Sequence, residues 1–460
     1  MRVLFLAAES APYVKVGGLG DVAGALPAAL RARGLDVRLM LPRYGTINPL
    51  RSNLHQVLDN FPVAMDWRNE ACQLWAAEDG HTFFVENQYF FGSRESIYGH
   101  GDDAQRFVLF CRAALEACRL QGWEPDVIHA HDWHSAAAVR LAWAARPRPA
   151  LVYTIHNLAH QGLFGPDAWP LIGVYDAGGN LNLMEQALAA ADVITTVSPT
   201  YADEIKRHEY GFGLDGLLRW RSDRLVGILN GIDTALFDPA TDPHIAAHFS
   251  ADDPAGKAAC KAALQREAGL PVRPDAPLLG VVSRLDDQKG IDLIVDALGS
   301  IVEGSDAQLM VLGSGHRPYE RAFQLAAAAR PDRIAAYVGF NAPLAQRIYA
   351  GADIFLMPSS FEPCGLSQML AMRYGAIPVV RATGGLVDTV PDMSRPDGIG
   401  VVFSDYSTGG LLAALARALA AYRNPGDWRY FVERAMRSEF SWSQAAQRYE
   451  DVYRWAATLR

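Results

Sequence analysis

Short runs of consecutive apolar residues recur along the chain, each bounded by glycine, proline or polar residues and followed by a stretch with helical spacing. In the first half they are Val3–Ala8, Val37–Leu41, Val127–Ala130, Leu151–Ile155, Val193–Val197 and Val226–Leu229. In the second half they are Leu278–Val282, Leu309–Leu312, Ala335–Val338, Ile354–Met357, Ile377–Val380 and Val401–Phe403. Runs without polar alternation belong to strands covered on both faces, which is the condition of a parallel sheet. Right-handed crossovers through the intervening helices follow. The pattern therefore predicts an α/β protein with two doubly wound, Rossmann-like domains of about six strands each. The turn-rich stretch Asp238–Pro243 marks the break. Residues 1–240 are expected to form the first domain and 252–440 the second. Residues 441–460, with helical spacing over Trp442–Trp455, are expected to pack back across the junction.

Composition narrows the partners. A chain of 460 residues is too long for one core. Lys and Arg total 42 against 51 Asp and Glu, a net charge of −9. Such a chain repels a nucleic-acid backbone, so nucleic acid is excluded as the main partner. The five cysteines are odd in number and contain no Cys-x-x-Cys, which fits a reducing cytoplasm better than a disulfide framework. No apolar stretch is long enough to predict a membrane span, and the N-terminal apolar run is shorter than a signal-peptide core.

Candidate chemistry collects where these strands end. Lys15-Val16-Gly17-Gly18-Leu19-Gly20-Asp21-Val22 lies between the first strand and a helix over Val22–Leu30. Glycines let backbone approach a phosphate, and a helix start offers free N–H groups, so this loop reads either as an anion site or as close strand–helix packing. Gly-x-Gly-x-x-Gly is absent, which argues against a dinucleotide-binding dehydrogenase. Gly384-Gly385-Leu386-Val387-Asp388, after Arg381-Ala382-Thr383, echoes the loop in the second half. His129-Ala130-His131-Asp132-Trp133-His134 follows one strand, His156-Asn157 another and Asn230-Gly231 a third. The histidines around Asp132 have a metal site as one reading. A hydrogen-bonding site for a polyhydroxyl ligand fits their spacing better, and His129 and His131 also suit a role tying strand ends together. Ser283-Arg284 and Lys289 lie on a loop entering a helix, where an arginine fork and a lysine point charge suit a pyrophosphate. Ser360-Phe361-Glu362-Pro363-Cys364-Gly365-Leu366 also runs from loop into helix. Cys364 is assigned a contact role rather than that of a nucleophile.

Taken in order, these strings resemble the bacterial glycogen synthase and plant starch synthase family along essentially the whole chain. Lys15–Val22, His129–His134, Tyr153–Leu158, Val197–Tyr201, Leu229–Asp233, Val282–Gly290, Pro358–Leu366 and Thr383–Thr389 carry the resemblance. It implies a GT-B glycosyltransferase with an interdomain cleft. The implied reaction transfers glucose from ADP-glucose to the non-reducing end of an α-1,4-glucan, retaining configuration, without metal or other cofactor. It further implies that Lys15 contacts the donor, that Arg284 and Lys289 hold its phosphates, and that the backbone at Gly17, Gly18, Gly365 and Leu366 assists. Asp21, Asp132, His156, Asn157, Asn230 and Glu362 are implied around the glucose. Tyr98 and Phe340 are implied as lining residues, with tyrosine usual in the family where Phe340 stands. Ser283, Thr383, Gly384 and Cys364 complete the expected substrate contacts. Glu185 and Ala187 depart from the family pattern, which puts nearby acceptor contacts in question. A UDP-glucose-dependent transferase and a non-catalytic glucan- or nucleotide-binding protein are the rival readings.

Overall fold

In a computed structural model of the chain, which describes residues 1–66 and 68–460, every predicted apolar run falls on a strand. The chain divides into two units, Met1–Gly231 with Trp442–Arg460, and Ile232–Ser441.

The first unit holds β1 (Arg2–Leu6), β2 (Asp36–Pro42), β3 (His55–Met65), β4 (Arg68–Ala76), β5 (Thr82–Glu86), β6 (Val127–His131) and β7 (Ala150–Ile155). A short antiparallel pair, β8 (Leu163–Phe164) and β9 (Leu181–Asn182), stands apart, and β10 (Val193–Thr196) and β11 (Leu225–Gly227) complete the unit. Nine of these strands make one sheet in the order β11-β10-β7-β6-β1-β2-β5-β4-β3. Two expectations need correcting. The sheet has nine strands rather than about six, and it is not wholly parallel, because β4 pairs antiparallel with both β5 and β3. β3 and β4 escaped the apolar-run criterion because much of their length is exposed and their buried positions alternate. β5 is buried throughout, but its unbroken apolar run is only Phe83-Phe84-Val85.

The second unit holds β12 (Leu278–Val282), β13 (Gln308–Gly313), β14 (Ile334–Val338), β15 (Ile354–Met357), β16 (Ile377–Arg381) and β17 (Val401–Phe403). They form one parallel sheet in the order β14-β13-β12-β15-β16-β17. Counted from its own first strand, this is the doubly wound order 3-2-1-4-5-6. The first unit has the same core with β1 and β6 in the places of β12 and β15. In such sheets the crossovers leave the first strand in opposite directions on its two sides, and a crevice opens at the carboxyl ends there. The loops after β1 and β6, and after β12 and β15, are thus placed to hold a ligand.

Helix faces complete each core. In the helix Gly18–Ala32, Leu19, Val22, Ala23, Leu26 and Leu30 are buried, the spacing of one helical face. The C-terminal helix Trp442–Ala457 belongs to the first unit and packs on that helix. It also reaches the sheet, where Tyr453 OH lies 2.8 Å from His129 Nδ1, both fully buried. Replacing Tyr453 with Phe leaves that ring nitrogen without a partner, and an unsatisfied buried group costs about 1–3 kcal/mol. Tyr453→Phe is therefore expected to lower the denaturant midpoint of the first unit, and an unchanged midpoint would show that the bond contributes nothing.

Candidate active site

In the first unit the turn after β1 is organised by Glu9, which sequence reasoning missed. Its side chain is 4% exposed, and its Oε2 accepts from the backbone N–H of Gly17 at 3.0 Å and from that of Val16. Gly17 and Val16 thus turn their N–H groups toward a carboxylate of their own chain. Burial raises the Glu9 pKa, the two backbone N–H groups oppose this, and Asp21 raises it further while Lys15 lowers it. Tyr98 also hydrogen-bonds Glu9, and burial together with the Glu9 charge pushes its phenol well up. Lys15 Nζ donates to Asp21 Oδ1 at 2.7 Å, both side chains being partly exposed. Packing accounts for part of the glycine pattern, since a Cβ on Gly24 would lie 2.8 Å from the Ala11 carbonyl oxygen.

The end of β6 is an aromatic and imidazole stack. The rings of Phe5, His129 and His131 cluster, with the His131 centroid 4.0 Å from each of the other two and those two 5.1 Å apart. His129 is satisfied internally, by Tyr453 and by Thr154 Oγ1 at 2.6 Å, so it ties the strand end to the C-terminal helix. His134 packs against Tyr98 at 4.6 Å and Phe107 at 4.7 Å. Asp132 adopts φ 55°, the left-handed region that Asp tolerates better than most residues. That conformation aims its Oδ1 at the backbone N–H of His156, 2.8 Å away, and the N–H of Asn157 also bonds it. Burial pushes the Asp132 carboxyl up to about 7 and the His156 imidazole down to about 3. Asn157 Oδ1 accepts from Ala159 N–H, and buried Asn230 has an Oδ1 without a partner. Among the described residues, no group of three or more His, Cys, Asp or Glu is placed to hold a metal ion.

In the second unit the loops after β12 and β15 meet. Gly290 has φ 67°, and a Cβ there would lie 2.1 Å from the carbonyl oxygen of Pro358. With glycine the two loops close up, and Lys289 Nζ donates to Glu362 Oε2 at 2.7 Å. Ser359 Oγ donates to the same oxygen at 3.0 Å. Glu362 is buried and Lys289 nearly so. Arg284 pairs with Asp286 Oδ2 at 2.7 Å and donates to Gln288 Oε1, while Asp286 Oδ1 caps the Lys289 N–H. The Gly384-Gly385 echo has a packing cause. A Cβ on Gly384 would lie 1.9 Å from the Glu362 carbonyl oxygen, and one on Gly385 2.2 Å from that of Cys364. Gly385 N–H donates to the Glu362 carbonyl, so this glycine pair seats the loop that carries Glu362. Gly365 has φ 73°, Leu366 precedes the helix Ser367–Arg373, and Cys364 is buried and in no disulfide. Thr383 is buried, Ser283 Oγ donates to the neighbouring Arg284 carbonyl, and Phe340 is 83% exposed.

The structure thus gathers Lys15, Gly17, Asp21 and Tyr98 around Glu9, and Asp132, His156 and Asn157 at the ends of β6 and β7. It gathers Arg284, Lys289 and Glu362 at the ends of β12 and β15. The rule that found the others, reading the residues just after each strand, also reaches Glu9. It stands three residues past the end of β1, ahead of the glycine loop.

Two doubly wound units, each with polar and charged groups at its switch point, define the GT-B class of glycosyltransferase. Residues 2–220 match the family model for the starch synthase catalytic domain, and residues 266–433 that for glycosyl transferases group 1. A glycogen synthase of Anaeromyxobacter sp. (strain Fw109-5) is 49% identical over 475 residues, covering 99% of this chain and 99% of that protein. A glycogen synthase of Geobacillus stearothermophilus is 45% identical over 474 residues, with 98% of this chain and 97% of that protein covered. The solved catalytic domain of starch synthase IV from Arabidopsis thaliana, bound to ADP and acarbose, superposes with a TM-score of 0.93 at 36% identity, over 99% of both chains. The chain belongs to the glycogen and starch synthase family.

The raised Asp132 pKa has a stability consequence. An aspartate in the unfolded chain titrates near 4, so the folded state holds this proton more tightly. Stability is then gained as pH falls from about 7 toward 4 and lost as pH rises through 7. Asp132→Asn keeps the acceptor oxygen and tolerance of positive φ but removes the buried charge. It is expected to melt several degrees above the wild type at about pH 8.5, the gap closing near pH 4, as read by calorimetry. A gap independent of pH would contradict the assignment.

Proposed function

We propose that this chain transfers glucose from ADP-glucose to the non-reducing 4-hydroxyl of an α-1,4-glucan, with retention at the anomeric carbon and release of ADP. One observation carries the chemistry. Each of the three cations assigned to the diphosphate is held by a carboxylate at 2.7 Å: Lys15 by Asp21, Arg284 by Asp286 and Lys289 by Glu362. Breaking the glycosidic bond builds negative charge on the leaving diphosphate and positive charge at the anomeric carbon. A diphosphate draws the cations from their carboxylates, and of the carboxylates so released Asp21 and Glu362 accept from sugar hydroxyls and offset the oxocarbenium charge. Cations and anions are thus stored as pairs and separated by the substrate that needs both.

The carboxylates divide by place. Asp21, Asp132, His156, Asn157 and Asn230 of the first unit are assigned to the sugar and the glucan, with Gly17, Gly18 and Tyr98 beside them. Glu362, Arg284 and Lys289 of the second unit are assigned to the donor, with Ser283, Phe340, Cys364, Gly365, Leu366, Thr383 and Gly384 around it. A double displacement would require a nucleophile on the sugar face opposite the leaving group, and no residue is assigned that role. The acceptor hydroxyl therefore attacks from the face that ADP leaves, its proton passing to the departing phosphate. Five buried cysteines, none in a disulfide, suit a reducing compartment, and we place the reaction in the cytoplasm. Among the described residues no helix is long and apolar enough to cross a membrane.

The reading is tested by nucleotide release from ADP-glucose and from UDP-glucose with glycogen as acceptor. Faster ADP release with α-linked chain growth is expected. Preference for UDP-glucose would change the donor, and no release from either would leave a binding protein. Losing one contact to a transition-state oxyanion costs roughly 3–4 kcal/mol, so Lys289→Ala and Arg284→Ala are each expected to lower kcat a hundredfold or more. Near-wild-type turnover in either variant would remove that residue from the phosphates. Glu362→Gln is expected to lose kcat yet still bind ADP, and retained turnover would take Glu362 out of the mechanism.

A further inference from the structure

The histidine cluster after β6 does more than tie strands together. His131 is fully buried, its Nδ1 lies 2.9 Å from His156 Nε2, and its own Nε2 has no hydrogen-bond partner. The neighbouring His129 cannot serve that nitrogen, because both of its ring nitrogens are bonded elsewhere, to Tyr453 and Thr154. Burial pushes both His131 and His156 below the usual imidazole range, so two neutral rings share one proton across the 2.9 Å contact. A neutral imidazole carries a single N–H, and its place in one ring dictates its place in the other.

Two arrangements satisfy the contact. In the first, His131 Nδ1–H donates to His156 Nε2, so His131 keeps a bare lone pair at Nε2 and His156 carries its proton on Nδ1. In the second, His156 Nε2–H donates to His131 Nδ1, and the remaining His131 proton sits on Nε2 as a buried N–H with no acceptor. Buried N–H groups without acceptors are the rarer defect, whereas acceptors short of a donor are tolerated more often. The first arrangement therefore wins, and it leaves the other ring nitrogen of His156, Nδ1, able only to donate.

We infer that His131 is a positioning residue: it locks His156 in the Nδ1–H form, so that His156 gives a hydrogen bond to a sugar hydroxyl oxygen and leaves that hydroxyl's own proton for a neighbouring acceptor. This rests on the proposed use of His156 as a sugar ligand. The role differs from the packing role of His129, since His131 alone among the two β6 histidines touches His156. Stacking on Phe5, with planes 28° apart, helps fix the His131 ring whose Nδ1 meets His156.

The test combines spectroscopy and kinetics on the full-length protein. With 15N-labelled histidine and no substrate, NMR reads which nitrogen of each ring is protonated, the two rings being assigned by their loss in His131→Phe and His156→Gln. Both rings are expected to carry the proton on Nδ1, and a proton on His156 Nε2 overturns the inference. In turnover, His131→Phe keeps a stacked ring but removes the donor. It is expected to lower kcat about tenfold while ADP affinity stays within about twofold, the scale of one misdirected hydrogen bond. His131→Asn places an amide N–H where Nδ1 stood and is expected to recover part of the loss. If His131→Phe does not fold, the Asn variant and the wild-type spectra still decide. Unchanged kcat in a folded His131→Phe also overturns the inference. An Nδ1–H His156 in the wild type, combined with undiminished kcat in His156→Gln, overturns the sugar role of His156 instead.

Discussion

The ion pair between Lys289 and Glu362 is the contact on which the second unit's site depends. Its two members come from loops that follow neighbouring parallel strands, β12 and β15, at the point where the chain's crossovers diverge. A buried carboxylate without a partner is costly, and so is a lysine held beside it with nothing to neutralise, so each makes the other's position tolerable. The pair forms only because Gly290 has no side chain where the Pro358 carbonyl passes, and because Gly384 and Gly385 lie flat against the backbone of Glu362 and Cys364. Ser359 fixes the carboxylate further by donating to the same oxygen as the lysine. Close backbone approach thus becomes electrostatic pairing, and the pairing stores a cation for phosphate and a carboxylate for sugar in one contact.

The first unit solves a similar problem with different residues. There the loop after β1 is held by Glu9, whose carboxylate takes two backbone N–H groups that a phosphate would otherwise meet. The consequence is that Lys15, rather than the glycine backbone around Gly17, is left to meet an anion, and it is held meanwhile by Asp21. At the end of β6, Asp132 bends into a left-handed conformation so that its side chain receives the His156 and Asn157 amides. The two units share a sheet order at their centres, yet one is built around carboxylates and imidazoles and the other around cations and close glycine contacts.

Much of this was legible in the chain. Twelve apolar runs marked strands, and reading the residues after them led to Lys15, Asp132, His156, Arg284, Lys289 and Glu362. What stayed hidden had specific causes. β3 and β4 alternate and lie half in solvent, so they carry no unbroken apolar run. Glu9 stands between β1 and the glycine loop, and a lone glutamate there gives no sign that it accepts the loop's own N–H groups. Whether the glycines at 384 and 385 serve phosphate or packing is invisible in their spacing, since only the fold brings Glu362 and Cys364 against them. The different duties of His129 and His131 depend on Tyr453, more than three hundred residues away.

If the pairs store charge for the substrate, Glu362 competes with the donor's diphosphate for Lys289. The most direct measurement is a double-mutant cycle on ADP affinity, by calorimetry, with Glu362→Gln, Lys289→Met and the two combined. Glu362→Gln alone should bind ADP more tightly than the wild type, and that gain should vanish when Lys289 is already Met. Weaker binding in Glu362→Gln, or a gain that persists without Lys289, would contradict the exchange.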